Sequence, residues 1–222
     1  MSFAHRFFIL NLLLTKSELN DNVCYITIVI GKREKVMPPK AKYTKSQITD
    51  TAFRMVRENG LSSLTARSLA KALGTSTGPI FTVFDTVSEI QDAVIEKAKL
   101  LYDSYLKSGL TQPIPFKGVG MKYIQFAKDE PELYKLLFMT GDGTEQITNF
   151  LPAYEVNTSE VLDLIEGSYK IDKEKAKSLY NHLSVYAYGY ATLFAQGIHI
   201  FTMENIDRMM TELFNVLIRS YL

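Results

Sequence analysis

After residue 43, apolar side chains recur at intervals of three and four, the spacing that lays them along one face of an α-helix. In residues 46–59 these are Ile48, Ala52, Phe53, Met55 and Val56. Thr44 stands where a helix start needs a side-chain oxygen, and Gly60 where a helix end favours a left-handed residue. Thr65 is placed to cap a short helix over 66–73, with Leu69, Ala70 and Leu73 on one face and Gly74 closing it. Ser76 is placed to cap a third helix over 77–83. Pro79 falls in its first turn, where a backbone N–H has no intrahelical partner. Thr86 then opens a long helix to about residue 108, striped by Ile90, Ala93, Val94, Leu101 and Tyr105.

Further helices are predicted over 115–128 and 130–139, parted at Asp129-Glu130-Pro131, and over about 157–168. Gly141-Asp142-Gly143 between them reads as a loop. Two long helices, 172–198 and 204–221, close the chain with wide apolar stripes. The first carries Leu179, Tyr180, Leu183, Tyr186, Ala187 and Tyr190; the second carries Met210, Leu213, Phe214 and Leu217. The pattern predicts an all-α protein. A three-helix head occupies 37–86, and a larger helical body occupies 87–222.

Residues 1–36 read differently. Apolar runs at 7–14 and 23–30 fall short of the roughly 18–20 residues that a membrane span needs. No small-residue cleavage site follows the first run. The segment is expected to be a dispensable extension or an upstream-start artefact, with Met37-Pro38-Pro39-Lys40 as a natural beginning, and no membrane contact is expected.

Charge changes the picture only when taken by segment. The 222 residues hold 25 Lys and Arg against 24 Asp and Glu, so the whole chain is nearly neutral. Residues 37–86 hold seven basic residues against three acidic ones. A cationic head of this kind suits phosphate neutralisation. The lone Cys24 and the scattered His5, His182 and His199 offer neither a disulfide nor a metal cluster, and they suit a reducing, cytoplasmic setting. No Ser/His/Asp, Cys/His or paired-carboxylate group falls on adjacent elements, so no catalytic residue, metal or cofactor is expected.

Short helix, Gly-containing turn and short helix within a three-helix unit is the helix-turn-helix arrangement. Leu69, Leu73, Ile80 and Phe84 are placed to form its small core. The run Ile48-x-x-x-Ala52-Phe53, then Gly60, then Leu64-Thr65-Ala66-Arg67-x-Leu69-Ala70-x-x-Leu73-Gly74-Thr75-Ser76-Thr77-Gly78-x-Ile80-Phe81-x-x-Phe84 resembles the N-terminal signature of TetR-type transcriptional regulators.

That resemblance implies a ligand-responsive repressor that binds a double-stranded DNA operator. Thr65 is implied to hold a backbone phosphate, and Arg67 a phosphate or base edge. Thr75, Ser76, Thr77 and Gly78 open the recognition helix, and Phe81, Thr82 and Val83 lie along the groove. Lys40, Lys42 and Lys45 form a basic arm. Phe81, Val83 and Val87 depart from the Tyr, His and Lys common in the family. The recognition helix has no Arg, Lys, Asn or Gln at its exposed positions, so it has no bidentate base readout, and thymine methyls become the contacts open to it. The departures also motivate an alternative, an interaction or ligand-sensing module on the same fold with weak or lost operator binding.

The resemblance further implies a homodimer through helices 172–198 and 204–221. It also implies a small, partly apolar effector held in the body. Residues expected to line that pocket are Tyr102, Tyr105, Met121, Tyr123, Phe126, Tyr134, Phe138, Tyr186 and Tyr190, with Met139; tyrosines offer an apolar wall and an orienting hydroxyl.

Overall fold

The structure, a computed structural model, describes residues 42–139 and 162–221. Lys40, the 1–36 extension, the Gly141-Asp142-Gly143 loop and the start of the helix expected from Asn157 lie outside the described residues. Within the described residues the regular structure is helical, with no strand. No helix among them is long and apolar enough to cross a membrane.

Helix α1 spans Lys45–Asn59. Thr44 and Gln47 close a reciprocal capping box at its start, and Gly60 ends it at φ 77°. Its buried face is Ile48, Thr51, Ala52, Phe53 and Val56. A 3-10 turn, Leu61–Ser63, leads to α2, Ala66–Ala72. Thr65 caps α2 and Ser68 bonds back to the Thr65 N–H, a second reciprocal box. Gly74 takes φ 65° in the turn that follows, as a tight reversal requires.

The helix expected over 77–83 is not a regular helix. Residues 78–83 form successive turns. Both i→i−3 bonds (Ile80 N–H to Thr77, Val83 N–H to Ile80) and i→i−4 bonds (Phe81 to Thr77, Phe84 to Ile80) are present. The expected Ser76 cap is not among the side-chain-to-backbone bonds that close the other helix starts. The cause is local. Gly78 is a poor helix former, Pro79 has no N–H to give, and Thr77, Ile80, Thr82 and Val83 are β-branched. The Thr82 hydroxyl also donates to the Pro79 carbonyl at 2.7 Å, a local alternative to helical bonding. Ile80 and Phe84 nevertheless sit fully buried, so the segment is anchored from below while its backbone stays irregular.

Thr86 caps the long α3, Val87–Leu110. Pro115 opens α4, Pro115–Asp129, and Pro131 opens α5, Pro131–Phe138. Residues 162–169 form α6. The closing helices are α7, Lys173–Ala195, and α8, Met203–Tyr221. The described residues all fall within one compact unit, and one continuous core runs from Ile48 and Leu69 in the head to Leu179 and Ile206 in the body.

Two features tie head to body beyond the covalent link through α3. Arg57 on α1 forks onto both carboxylate oxygens of Glu130, at the start of α5; Nε to Oε2 is 2.6 Å. Glu130 is 4% exposed. Close by, a Cβ added to Gly60 would lie 2.6 Å from Glu132 Oε2. Within the body, α3 and α4 meet backbone to backbone. A Cβ on Gly109 would come within 2.7 Å of the Gly118 carbonyl group, and a Cβ on Gly118 would overlap the Gly109 carbonyl oxygen.

Candidate nucleic-acid interface and body cavity

The head buries Leu69, Ile80 and Phe84 and turns other side chains outward. Arg67 is exposed on α2 and makes no ion pair among the described residues. Ser76, Thr77, Gly78 and Thr82 are exposed and Thr75 is partly buried. Phe81 is 41% exposed. Val83 is half-buried and packs on the core. The outward surface of the recognition segment is therefore Thr, Ser, Gly and one phenyl ring, without a charged group.

The basic residues around it differ in availability. Lys42 is exposed. Lys45 is exposed but paired: its Nζ lies 3.0 Å from Glu89 Oε1 and 4.9 Å from the centre of the Phe84 ring. Its charge is thus matched within the head, where it joins α1 to α3. Glu89 also accepts the Asp85 backbone N–H at 2.9 Å. That bond, with Lys45, holds the Glu89 carboxyl below its ordinary range. Thr65 is exposed, but its hydroxyl already accepts the Ser68 N–H at 3.1 Å.

In the body, most of the aromatic residues expected around a ligand pack on one another. The Tyr102 ring meets Phe126 and Phe138 edge-on, with centroids 5.3 and 5.2 Å apart, and Tyr123 at 6.3 Å. Tyr105 packs on Phe126 and donates to Asp129. The Tyr123 and Tyr134 hydroxyls are 2.9 Å apart in the core. Burial pushes the Tyr134 hydroxyl up to about 12, so it stays neutral. Met139 is half-buried against the same cluster. Tyr190 packs edge-on against Phe201. Tyr186 is half-exposed on α7.

An apolar cavity of about 150 Å³ lies elsewhere, among α4, α6, α7 and α8. Of the expected set, Met121 lines it. Its other walls include Phe116, Tyr169, Tyr180, Leu183 and Phe214. These residues come from four elements distant in sequence, so helical periodicity marks them only as inward-facing. A wider groove of about 460 Å³ adjoins it and shares Ile114, Lys117 and Met121.

His182 faces outward, with Nδ1 2.8 Å from the Ser178 carbonyl. The His199 ring packs on Phe194, beyond the end of α7. The outer faces of α7 and α8 expose Val185 (65%), Tyr186, Met209 and Val216 (68%).

No family model matches the chain. Among curated relatives, nucleoid occlusion factor SlmA of Haemophilus ducreyi is 23% identical over 140 residues, 58% of this chain and 69% of that protein. SlmA of Glaesserella parasuis is 24% identical over 106 residues, 46% of this chain and 53% of that protein. The chain thus spans about two thirds of one relative and half of the other. A TetR-like transcriptional regulator from Rhodococcus sp. RHA1 superposes with a TM-score of 0.58 at 14% identity, covering 80% of this chain and 96% of that one. A transcriptional regulator from Rhodococcus sp. Rha1 gives 0.53 at 12% identity, over 80% and 97%. The chain has the fold of TetR-like transcriptional regulators.

Proposed function

We propose that this protein is a cytoplasmic, non-enzymatic transcriptional regulator that binds operator DNA as a homodimer and is released by a small effector held in the body. The observation that carries the reading is the division of labour in the head. Its inner residues are fully buried, while Arg67, Lys42 and the Thr-rich recognition segment face outward. Arg67 and Lys42 supply phosphate attraction. Thr77, Phe81 and Thr82 offer methyl groups and a ring to thymine methyls in the major groove. With Lys45 paired to Glu89, Arg67 is the principal contact, and the Thr65 hydroxyl, which accepts the Ser68 N–H and still carries an O–H to donate, and the arm around Lys40 and Lys42 support it.

The outer faces of α7 and α8 support the homodimer reading. Val185, Tyr186, Met209 and Val216 give two adjacent helices an apolar stripe facing outward, which a second copy related by a two-fold axis would cover. Effector binding would bias the dimer between two spacings of its heads, and it can do so only if the effector prefers the DNA-free state.

Fluorescence anisotropy with labelled DNA from upstream of the protein's own gene, at two salt concentrations, tests the reading. Saturable, salt-sensitive binding is expected. Arg67→Ala should weaken it more than Thr82→Ala and reduce the salt slope by about one. Absence of saturable binding at low salt would instead favour a module that keeps the fold without operator binding. That second reading draws on the apolar Phe81, Val83 and Val87.

A further inference from the structure

Lys117 stands at the boundary between two unlike spaces. On its inner side is the cavity walled by Phe116, Tyr169, Tyr180, Leu183, Met210 and Phe214. On its outer side is the open groove, which also contains Lys122 and Gln125. Lys117 Nζ lies 2.7 Å from Asp207 Oδ1 and 2.8 Å from Oδ2, so α4 and α8 are pinned together at the rim. Both partners of the pin are partly exposed. The groove therefore holds two ammonium groups against one carboxylate.

We infer that the inner cavity and the outer groove together bind an amphipathic anion, a small aromatic or short-chain carboxylate whose apolar end enters the cavity and whose carboxylate meets Lys117. This deepens the effector-responsive reading and rests on it. The inner volume suits a benzene-sized group, since a dry apolar cavity of about 150 Å³ accepts one. The rim supplies the charge. A ligand carboxylate reaching Lys117 competes with Asp207, and Lys122 adds a second cation nearby. A neutral molecule of the same shape gains the apolar contacts but not the charge-assisted hydrogen bond, which is the stronger polar contact. Binding there would also loosen the α4–α8 pin. The backbone of α4 is seated on α3 at Gly118 and Gly109, so its displacement has a rigid route toward the head.

Gly120 offers a clean way to block the site. It lines the cavity, and a Cβ added there meets nothing within 4 Å. The Cβ of Gly120→Leu therefore enters open space, its larger side chain extends into the cavity, and replacing a mid-helix glycine favours folding.

The test is calorimetric titration of the full chain with 4-phenylbutyrate and with its neutral counterpart 4-phenylbutanamide. The acid is expected to bind about tenfold tighter than the amide, the size of one charge-assisted bond. Lys117→Gln should bring the two within about twofold. Asp207→Asn should strengthen acid binding and leave the amide unchanged, a gain that general damage to the fold would not produce. Gly120→Leu should abolish binding of both. Equal affinity for acid and amide, an unchanged acid affinity in Lys117→Gln, or no saturable binding of either up to about 5 mM would overturn the inference. Anisotropy with operator DNA runs in parallel. Intact DNA binding with failed probe binding removes this ligand class alone, and failed DNA binding with intact probe binding removes the regulator reading alone.

Discussion

Glu130 is a carboxylate in an environment at odds with its chemistry, 4% exposed and held by the fork of a half-exposed Arg57. Removing Arg57 leaves that acceptor buried without its partner, whereas removing both charges leaves only packing to repair. Urea unfolding should show Arg57→Ala destabilised by about 2 kcal/mol and the double variant Arg57→Met/Glu130→Gln close to the parent. Glu89 gives a pH-dependent counterpart. The Asp85 backbone bond and Lys45 hold its carboxyl below the ordinary carboxylate range. Its contribution to stability is therefore present above the unfolded-state value and lost as pH falls through the folded-state one. Glu89→Gln should lower the melting temperature at pH 7, and the gap to the parent should close on acidification; a gap that persists below the carboxylate range would refute the assignment. At this scale the sequence was informative about which residues face inward and silent about what they meet there. Tyr102, Tyr123 and Phe138 are inward, as their spacing implies, yet they face one another rather than open space. A cavity is what packing leaves over, and it depends on side chains from four helices at once.

Helix starts were legible because their chemistry is local: Thr44, Thr65 and Thr86 each accept the N–H three residues on. The segment 77–83 was not, because inward spacing of Ile80 and Phe84 is satisfied equally by a helix and by a chain of turns. Propensity is a weak prior, and here a run containing Gly, Pro and β-branched residues carried it away from regular helix. The register of α4 against α3 was also hidden, since it turns on glycines whose neighbours are remote. Gly118 and Gly120 lie two residues apart on the same helix and should respond oppositely to one substitution. Gly118→Ala forces a methyl into the Gly109 carbonyl and should destabilise by about 1–3 kcal/mol. Gly120→Ala adds a methyl to open space and should stabilise by about 0.5–1 kcal/mol through the helix-favouring effect. Paired denaturation curves check both, and equal shifts would show that α3 and α4 do not meet in this register.

For the whole molecule, the proposed dimer and the proposed DNA contact are joined by one physical argument. A single head offers few unpaired cations. Lys45 is matched by Glu89 and Arg57 by Glu130, while Lys42, Arg54, Arg67 and Lys71 are exposed with no ion pair among the described residues. Counterion release scales with the number of phosphates neutralised, so one head alone would bind weakly and with a shallow salt dependence. Two heads fixed by a two-fold axis double that number and make the second contact intramolecular. On the proposed reading, the outer stripe of α7 and α8 is thus as necessary for tight operator binding as the head itself. Val216 is 68% exposed on α8, far from the head in sequence. Val216→Asp should leave the fold intact but place a carboxylate opposite its own copy across the axis, where like charges repel and desolvation is costly. Light scattering should then report a monomer where the parent is a dimer. Anisotropy should show much weaker operator binding, with a log–log salt slope about half that of the parent because half the phosphates are contacted. A monomeric Val216→Asp that kept the parental affinity and slope would separate DNA binding from dimerisation and place the source of affinity within one head.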